Sequence, residues 1–200
     1  MGLLLDGKWH DRWYDTRSSN GRFLREPSRF RQRIGAGSPF PAEAGRYHLY
    51  ASLACPWAHR TLIVRALKGL EQAVTVSLVD PHMGQQGWAF TETLPDHLYG
   101  VRFMHEIYLK AEPRYSGRVT VPVLWDRRQR TIVNNESSEI IRMLNGAFSA
   151  HAHAHAGAAD LDLYPEPLRE RIDRINDWVY DRVNNGVYKA GFATTQQAYE

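Results

Sequence analysis

The sequence predicts an α/β domain followed by the first part of an all-helical one, and three stretches carry that prediction. Between Tyr47 and Val79 a strand, a helix and a second strand succeed one another at the spacing of a βαβ unit. Between Thr120 and Leu144 two short strands lead into a helix, and from Pro167 to about Val187 apolar residues recur at helical spacing. At 200 residues the chain has room for one ordinary domain or two small ones, with a sizeable core.

Composition narrows the function classes. With 43% apolar and 24% charged residues the chain is neither disordered nor collagen-like, and a single cysteine rules out a disulfide scaffold. The 25 basic and 22 acidic residues leave a charge of +3, too even a mixture to require nucleic acid or an anionic membrane as partner. Leu3 to Leu5 is too short for the apolar stretch of a signal peptide, and no run of about eighteen apolar residues marks a membrane-spanning helix. The lone Cys55 cannot close an intrachain disulfide and fits a reducing compartment. A soluble, cytoplasmic protein is expected.

Residues 1–45 are rich in Arg, Gly, Ser and Pro with no lasting period, and are expected to form an irregular extension. Its aromatics, among them Trp9, Trp13, Tyr14, Phe23, Phe30 and Phe40, would pin it to a folded body. The arginines from Arg12 to Arg33 suit a solvated arm, with a basic patch for an anionic ligand as the alternative.

Residues 46–145 carry the α/β pattern. Tyr47 to Tyr50 reads as a strand, and a turn through Ser52 and Cys55 leads into a helix to about Leu67. Pro56 suits the first helical turn, Ala58, Leu62 and Ala66 form an apolar row, and Gly69 marks the stop. Val74 to Val79 is a buried strand joined by a right-handed crossover. Asp80 to Gly117 is a long polar and aromatic insert, a length that implies function or a short helix of its own. Thr120 to Trp125 and Thr131 to Val133 suit a hairpin with a charged tip, and Asn134 to Glu139 opens a helix to about Leu144.

Residues 146–165 read as a flexible linker, rich in Ala and Gly, with alternating His151, His153 and His155. Alternation in such a loop gives no fixed frame for a metal ion, and no metal is expected. In residues 166–200, Leu168, Ile172, Ile175 and Val179 trace an amphipathic helix, and a break from Gly191 to Thr195 precedes another. The helical domain is expected to be represented by its start alone, within a longer natural chain.

Cys55 stands between a strand end and a helix start. The unpaired N–H groups and dipole of a helix N-terminus favour the thiolate, and His59 and Arg60 would add positive field. An isolated cysteine is commonly a buried structural thiol, but burial alone does not explain this placement. The position three residues on, where thioredoxin-type motifs carry a second cysteine, is Ala58. A mixed disulfide on Cys55 therefore needs an outside thiol for its release, and glutathione is the abundant cytosolic one.

Two further stretches could hold such a tripeptide. Pro122, at the start of a strand, is a natural place for a cis X–Pro bond, which would free the Val121 backbone to pair with an extended peptide. Glu136 and Ser137 at a helix N-terminus offer N–H groups and a hydroxyl for a carboxylate and a carboxylate for an ammonium, or simply an N-cap.

Four stretches together resemble the glutathionyl-hydroquinone reductases, the Xi class of glutathione transferases: Ser52-Leu53-Ala54-Cys55-Pro56-Trp57-Ala58-His59-Arg60, Thr120-Val121-Pro122-Val123-Leu124-Trp125-Asp126, Asn134-Asn135-Glu136-Ser137-Ser138-Glu139, and Asn184 to Ala193. Gly87-Trp88-Ala89-Phe90 in the insert is also similar to that family. The resemblance implies a thioredoxin-like N-terminal domain, a glutathione-transferase-type helical domain, and a homodimer in the cytoplasm. It implies glutathione as co-substrate and removal of glutathione from glutathionyl-hydroquinones, giving hydroquinone and glutathione disulfide. By the same resemblance Cys55 is the nucleophile, and Val121 beside a cis Pro122 pairs with the cysteinyl unit. Glu136 and Ser137 hold the γ-glutamyl end, Trp88 packs against glutathione, Arg118 meets its glycyl carboxylate, and Tyr188 hydrogen-bonds the quinol. Two alternatives stand beside this reading: an omega-like transferase using Cys55 for thiol transfer or dehydroascorbate reduction, and a non-catalytic binding module of the same fold.

Overall fold

In the computed structural model, which describes residues 2–151 and 157–200, the strand–helix–strand expectation is met almost to the residue. Strand β3 (Tyr47–Ala51) is followed by α1 (Pro56–Leu67) and β4 (Val74–Leu78), with β3 and β4 parallel. Strands β6 (Val123–Asp126) and β7 (Thr131–Asn134) form the expected hairpin, and α3 (Ser137–Gly146) follows. The sheet order is β4-β3-β6-β7, with β6 antiparallel to both its neighbours.

Alternation along the central strands sorts the apolar residues to two faces. Leu49, opposite Leu124, packs with Val64 of α1 and Ile140, Met143 and Leu144 of α3. Tyr50, opposite Val123, faces a second cluster with Trp125, Trp88 and the side chains of α2 (Met104–Ala111), the short helix within the insert. Helix α2 starts where Glu106 accepts hydrogen bonds from the Phe103 and Arg102 N–H groups. The insert is ordered around buried Asp96, whose carboxylate accepts from Tyr50 Oη and from the N–H groups of Leu98, Tyr99 and Val101.

The N-terminal stretch departs from the irregular expectation. Strands β1 (Leu3–Leu5) and β2 (Lys8–His10) form a hairpin, and β1 also pairs with β5 (Gly117–Arg118). The turn is Asp6-Gly7, both at positive φ, and a Cβ at Gly7 would lie 2.3 Å from the Pro113 carbonyl oxygen. Further on, the arm lies along the β7 edge: Gln32 N–H donates to Val133 C=O, and Asn135 N–H to Phe30 C=O.

The described residues divide into two compact units, Met1–Arg12 with Ser28–Asp162, and Trp13–Pro27 with Leu163–Glu200. The last turns of the presumed linker belong to the first unit: Ala158 is buried, and the Lys68 ammonium donates to Leu161 C=O at 2.5 Å. His153 and His155 lie outside the described residues; His151 ends a short turn after α3.

In the second unit the predicted helix is interrupted. Helix α4 (Arg169–Val179) runs into a π-helical turn over Tyr180–Asn184, then α5 (Gly186–Phe192) and α6 (Gln196–Tyr199). Asn184-Asn185-Gly186 favours helix poorly, and the Asn185 N–H reaches back five residues to Tyr180 C=O. Asn185 Oδ1 is also held by Arg25 Nε at 2.6 Å. The arm segment Trp13–Pro27 packs here through Tyr14 and Phe23, both against Phe192. Among the described residues no helix is long and apolar enough to cross a membrane.

Candidate active site

Cys55 is the N-cap residue of α1, with Pro56 in the first turn. Ser52 shapes the approach: its C=O accepts from Cys55 N–H at 3.2 Å, and its hydroxyl accepts from Ala54 N–H. The thiol is half-buried, and its Sγ donates towards the Val121 C=O at 3.5 Å. Val121–Pro122 is a cis peptide bond. Nucleophile and backbone partner predicted from sequence are thus brought together, although 66 residues separate them. Trp88, 9% exposed, and Val121 belong to the buried cluster against which Cys55 packs.

Glu136 caps α3, accepting from Ser138 N–H and Ser138 Oγ, and its other carboxylate oxygen accepts from Ser28 Oγ at 3.1 Å. Ser137 is buried, and its Oγ accepts from Arg60 Nε at 3.1 Å and Nη2 at 2.8 Å. Arg60, expected to strengthen the field at Cys55, has its guanidinium on Ser137, 4.0 Å from Glu136, and over the Trp57 ring. It ties the cysteine's helix to the second predicted subsite. Arg118 lies in the small sheet, and its Nη1 donates to Arg12 C=O at 2.6 Å. Tyr188 belongs to the second unit, stacked on Phe23 and beneath the Arg25 guanidinium, 4.4 Å from its ring centre.

Further contacts support the α3 cap, and the sequence pattern does not announce them. Glu139 accepts from Arg31 Nε and Nη2 at 2.8 and 2.5 Å and from Asn134 Nδ2 at 2.7 Å. Burial pushes this carboxyl up, but the Arg31 and Asn134 hydrogen bonds and the charges of Arg31 and Arg33 together hold it below the usual carboxylate range. The capping segment of α3 is thereby fixed to the arm. Ser28 and Arg31 act on residues more than a hundred positions away, which no local pattern announces. Among the described residues no group of three or more His, Cys, Asp or Glu side chains is placed to hold a metal ion.

A cysteine capping the first helix of a βαβ unit, facing the carbonyl before a cis proline, defines a thioredoxin-like domain with a single-cysteine thiol site. Comparison with known proteins specifies it further. The family "Glutathione S-transferase, N-terminal domain" matches residues 54–147. Over the whole chain the protein is 56% identical to glutathionyl-hydroquinone reductase YqjG of Escherichia coli and 55% identical to glutathionyl-hydroquinone reductase PcpF of Sphingobium chlorophenolicum, spanning 63% of the length of each. The glutathione-bound structure of YqjG superposes with a TM-score of 0.84 at 50% identity, over 99% of this chain and 61% of that one. The Xi glutathione transferase of Phanerochaete chrysosporium gives 0.84 at 56% identity, over 88% and 61% of the two chains. Residues 54–147 thus match a glutathione S-transferase N-terminal domain, and the solved structures that the chain is similar to include Xi-class glutathione transferases.

Proposed function

We propose that the protein is a glutathione-dependent reductase that removes glutathione from glutathionyl-hydroquinones. The observation that carries this is the half-buried Cys55 thiol at the α1 N-cap, 3.5 Å from Val121 C=O, in a chain with no second cysteine. Relatives named for this activity, and a relative solved with glutathione, support the reading.

In the first step the Cys55 thiolate attacks the glutathionyl sulfur of the substrate's keto tautomer. The sulfur–carbon bond breaks, its electron pair moves into the ring as the adjacent carbonyl becomes a phenolate, that oxygen takes up a proton, and hydroquinone is released, leaving a Cys55–glutathione disulfide. In the second, a glutathione thiolate attacks the glutathionyl sulfur of that disulfide, freeing Cys55 and giving glutathione disulfide. Carbon is reduced and sulfur oxidised, so glutathione is a co-substrate. The positive end of the twelve-residue α1 favours the attacking thiolate. Val121 would pair with the cysteinyl backbone beside Pro122, and Glu136 and Ser137 would hold the γ-glutamyl end. Trp88 would pack on the tripeptide, Arg118 would meet the glycyl carboxylate, and the Tyr188 hydroxyl would donate to the quinol oxygen as charge develops there. A cytoplasmic homodimer is part of the same reading.

Incubation with a glutathionyl-hydroquinone and no free thiol is expected to add one glutathione to Cys55, read by mass spectrometry. Cys55→Ser is expected to lower turnover by about a thousandfold or more while glutathione is still bound. Wild-type turnover in Cys55→Ser would remove the nucleophile from this scheme. Side-by-side assay with dehydroascorbate separates the omega-like alternative.

A further inference from the structure

Tyr108, on α2, takes no part in the chemistry described so far, yet its phenolic oxygen sits where the two halves of the proposed tripeptide site meet. It donates to Thr120 C=O at 3.0 Å, accepts from Thr120 N–H at 3.2 Å and from Asn135 Nδ2 at 3.1 Å, and shares a hydrogen bond with Thr120 Oγ1 at 3.3 Å. The donor and acceptor positions of the phenol are all taken up by these two residues. Thr120 immediately precedes Val121, whose carbonyl faces Cys55, and Asn135 immediately precedes Glu136, the cap of α3. Asn135 is held in turn by Phe30, through Phe30 N–H to Asn135 Oδ1 at 3.2 Å and Asn135 N–H to Phe30 C=O. Tyr108 is fully buried, its ring packed against Phe30 and Tyr115. Burial raises the pKa of its hydroxyl, against hydrogen bonds from the Thr120 and Asn135 side chains and the Thr120 backbone that lower it, so the group remains a neutral phenol.

We infer that Tyr108 is a positioning residue for tripeptide binding: one buried oxygen sets the spacing between the backbone that would pair with the cysteinyl unit and the helix cap that would hold the γ-glutamyl end. This rests on the glutathione reading above and specifies how its two subsites are kept in register. A ligand bridging both subsites feels any change in their spacing. A reagent that needs only the thiol does not.

The test is Tyr108→Phe, measured by titration calorimetry with S-methylglutathione, which cannot react at Cys55, alongside the rate of Cys55 alkylation by iodoacetamide. Loss of the hydroxyl takes a partner from Thr120 and from the buried Asn135 amide, and the S-methylglutathione Kd is expected to rise about tenfold or more, with alkylation within about twofold of wild type. A merely structural role would lower the melting temperature and leave the Kd of the folded protein unchanged, which overturns the inference. Asn135→Ala removes one partner of the same oxygen and carries the test if Tyr108→Phe does not fold. Its Kd should rise as well, and an unchanged Kd overturns the inference. Where both fold, the double variant should bind no more weakly than the weaker single one, and additive losses overturn the shared-oxygen account. Failure of wild-type protein to bind S-methylglutathione overturns the glutathione reading and this inference with it; equal binding by wild type and Tyr108→Phe overturns this inference alone.

Discussion

The two units of the chain hold themselves together differently. In the first, both faces of the four-stranded sheet are covered, and Tyr47, Leu49, Leu124, Ile140 and Trp125 are fully buried. In the second, Phe23, 5% exposed, is the one buried apolar side chain among the described residues, while Leu168, Ile175, Trp178, Val183 and Val187 are exposed along α4 and its continuation. The second unit is tied by specific contacts instead: Arg25 to Asn185, Thr16 to Thr194, and the rings of Tyr14, Phe23 and Phe192. The proposed nucleophile and tripeptide subsites stand on the unit with the closed core. Preorganising a thiol against a carbonyl requires supports that do not yield, and a packed core supplies them.

The contrast can be broken most directly at Ile140. This side chain lies fully buried between α3 and the sheet, and Ile140→Ala is expected to destabilise the first unit by about 3 kcal/mol through lost burial and the cavity left behind. Denaturant unfolding followed by Trp fluorescence measures it. A loss below about 1 kcal/mol would mean that the α3 face tolerates voids, contrary to a closed core.

A smaller effect, graded by pH, tests the same core from its polar side. His48 on β3 is fully buried between Thr75 Oγ1 and Ser77 Oγ, and burial pulls its pKa down to about 3. In the unfolded chain the imidazole takes up its proton near 6.5, so between pH 6.5 and 3 the unfolded state binds the extra proton. Stability is therefore complete above about pH 6.5 and falls with decreasing pH, by up to about 1.4 kcal/mol for each unit. His48→Gln, which keeps a donor and an acceptor, should flatten the stability profile between pH 5 and 6.5. An unchanged slope would show that the imidazole is not held neutral.

Much of this core was readable in the sequence because its signals are local. The strand from Tyr47 to Tyr50, the Pro56 start and the apolar row of α1 report secondary structure directly, and Cys55 between strand and helix marks the α1 N-cap. The Asp6-Gly7 hairpin was missed: an Asp-Gly pair between short strands is a turn signal, but three consecutive leucines show no alternation and masked the strand before it. Contacts that cross the chain left no such trace. Ser28 on Glu136, Arg31 on Glu139, and Arg60 on Ser137 depend on which side chains folding brings together. The interruption at Tyr180–Asn184 falls in the same class, because Asn185 is fixed by Arg25, 160 residues earlier.

Ile175 supplies the sharpest form of the comparison, since it is the same residue type as Ile140 and is likewise on an amphipathic helix. At 51% exposed against 0%, it has little burial to lose. Ile175→Ala also replaces a β-branched residue by the best helix former, a gain of a few tenths of a kcal/mol on an open helix surface. The two effects oppose each other, and Ile175→Ala is expected to change the stability of this chain by no more than about 0.5 kcal/mol in either direction. Read beside Ile140→Ala in the same denaturant series, the pair separates helical pattern from burial. Equal losses at the two positions would mean that the α4 face is packed as closely as α3, and the contrast between the units would fall with that result.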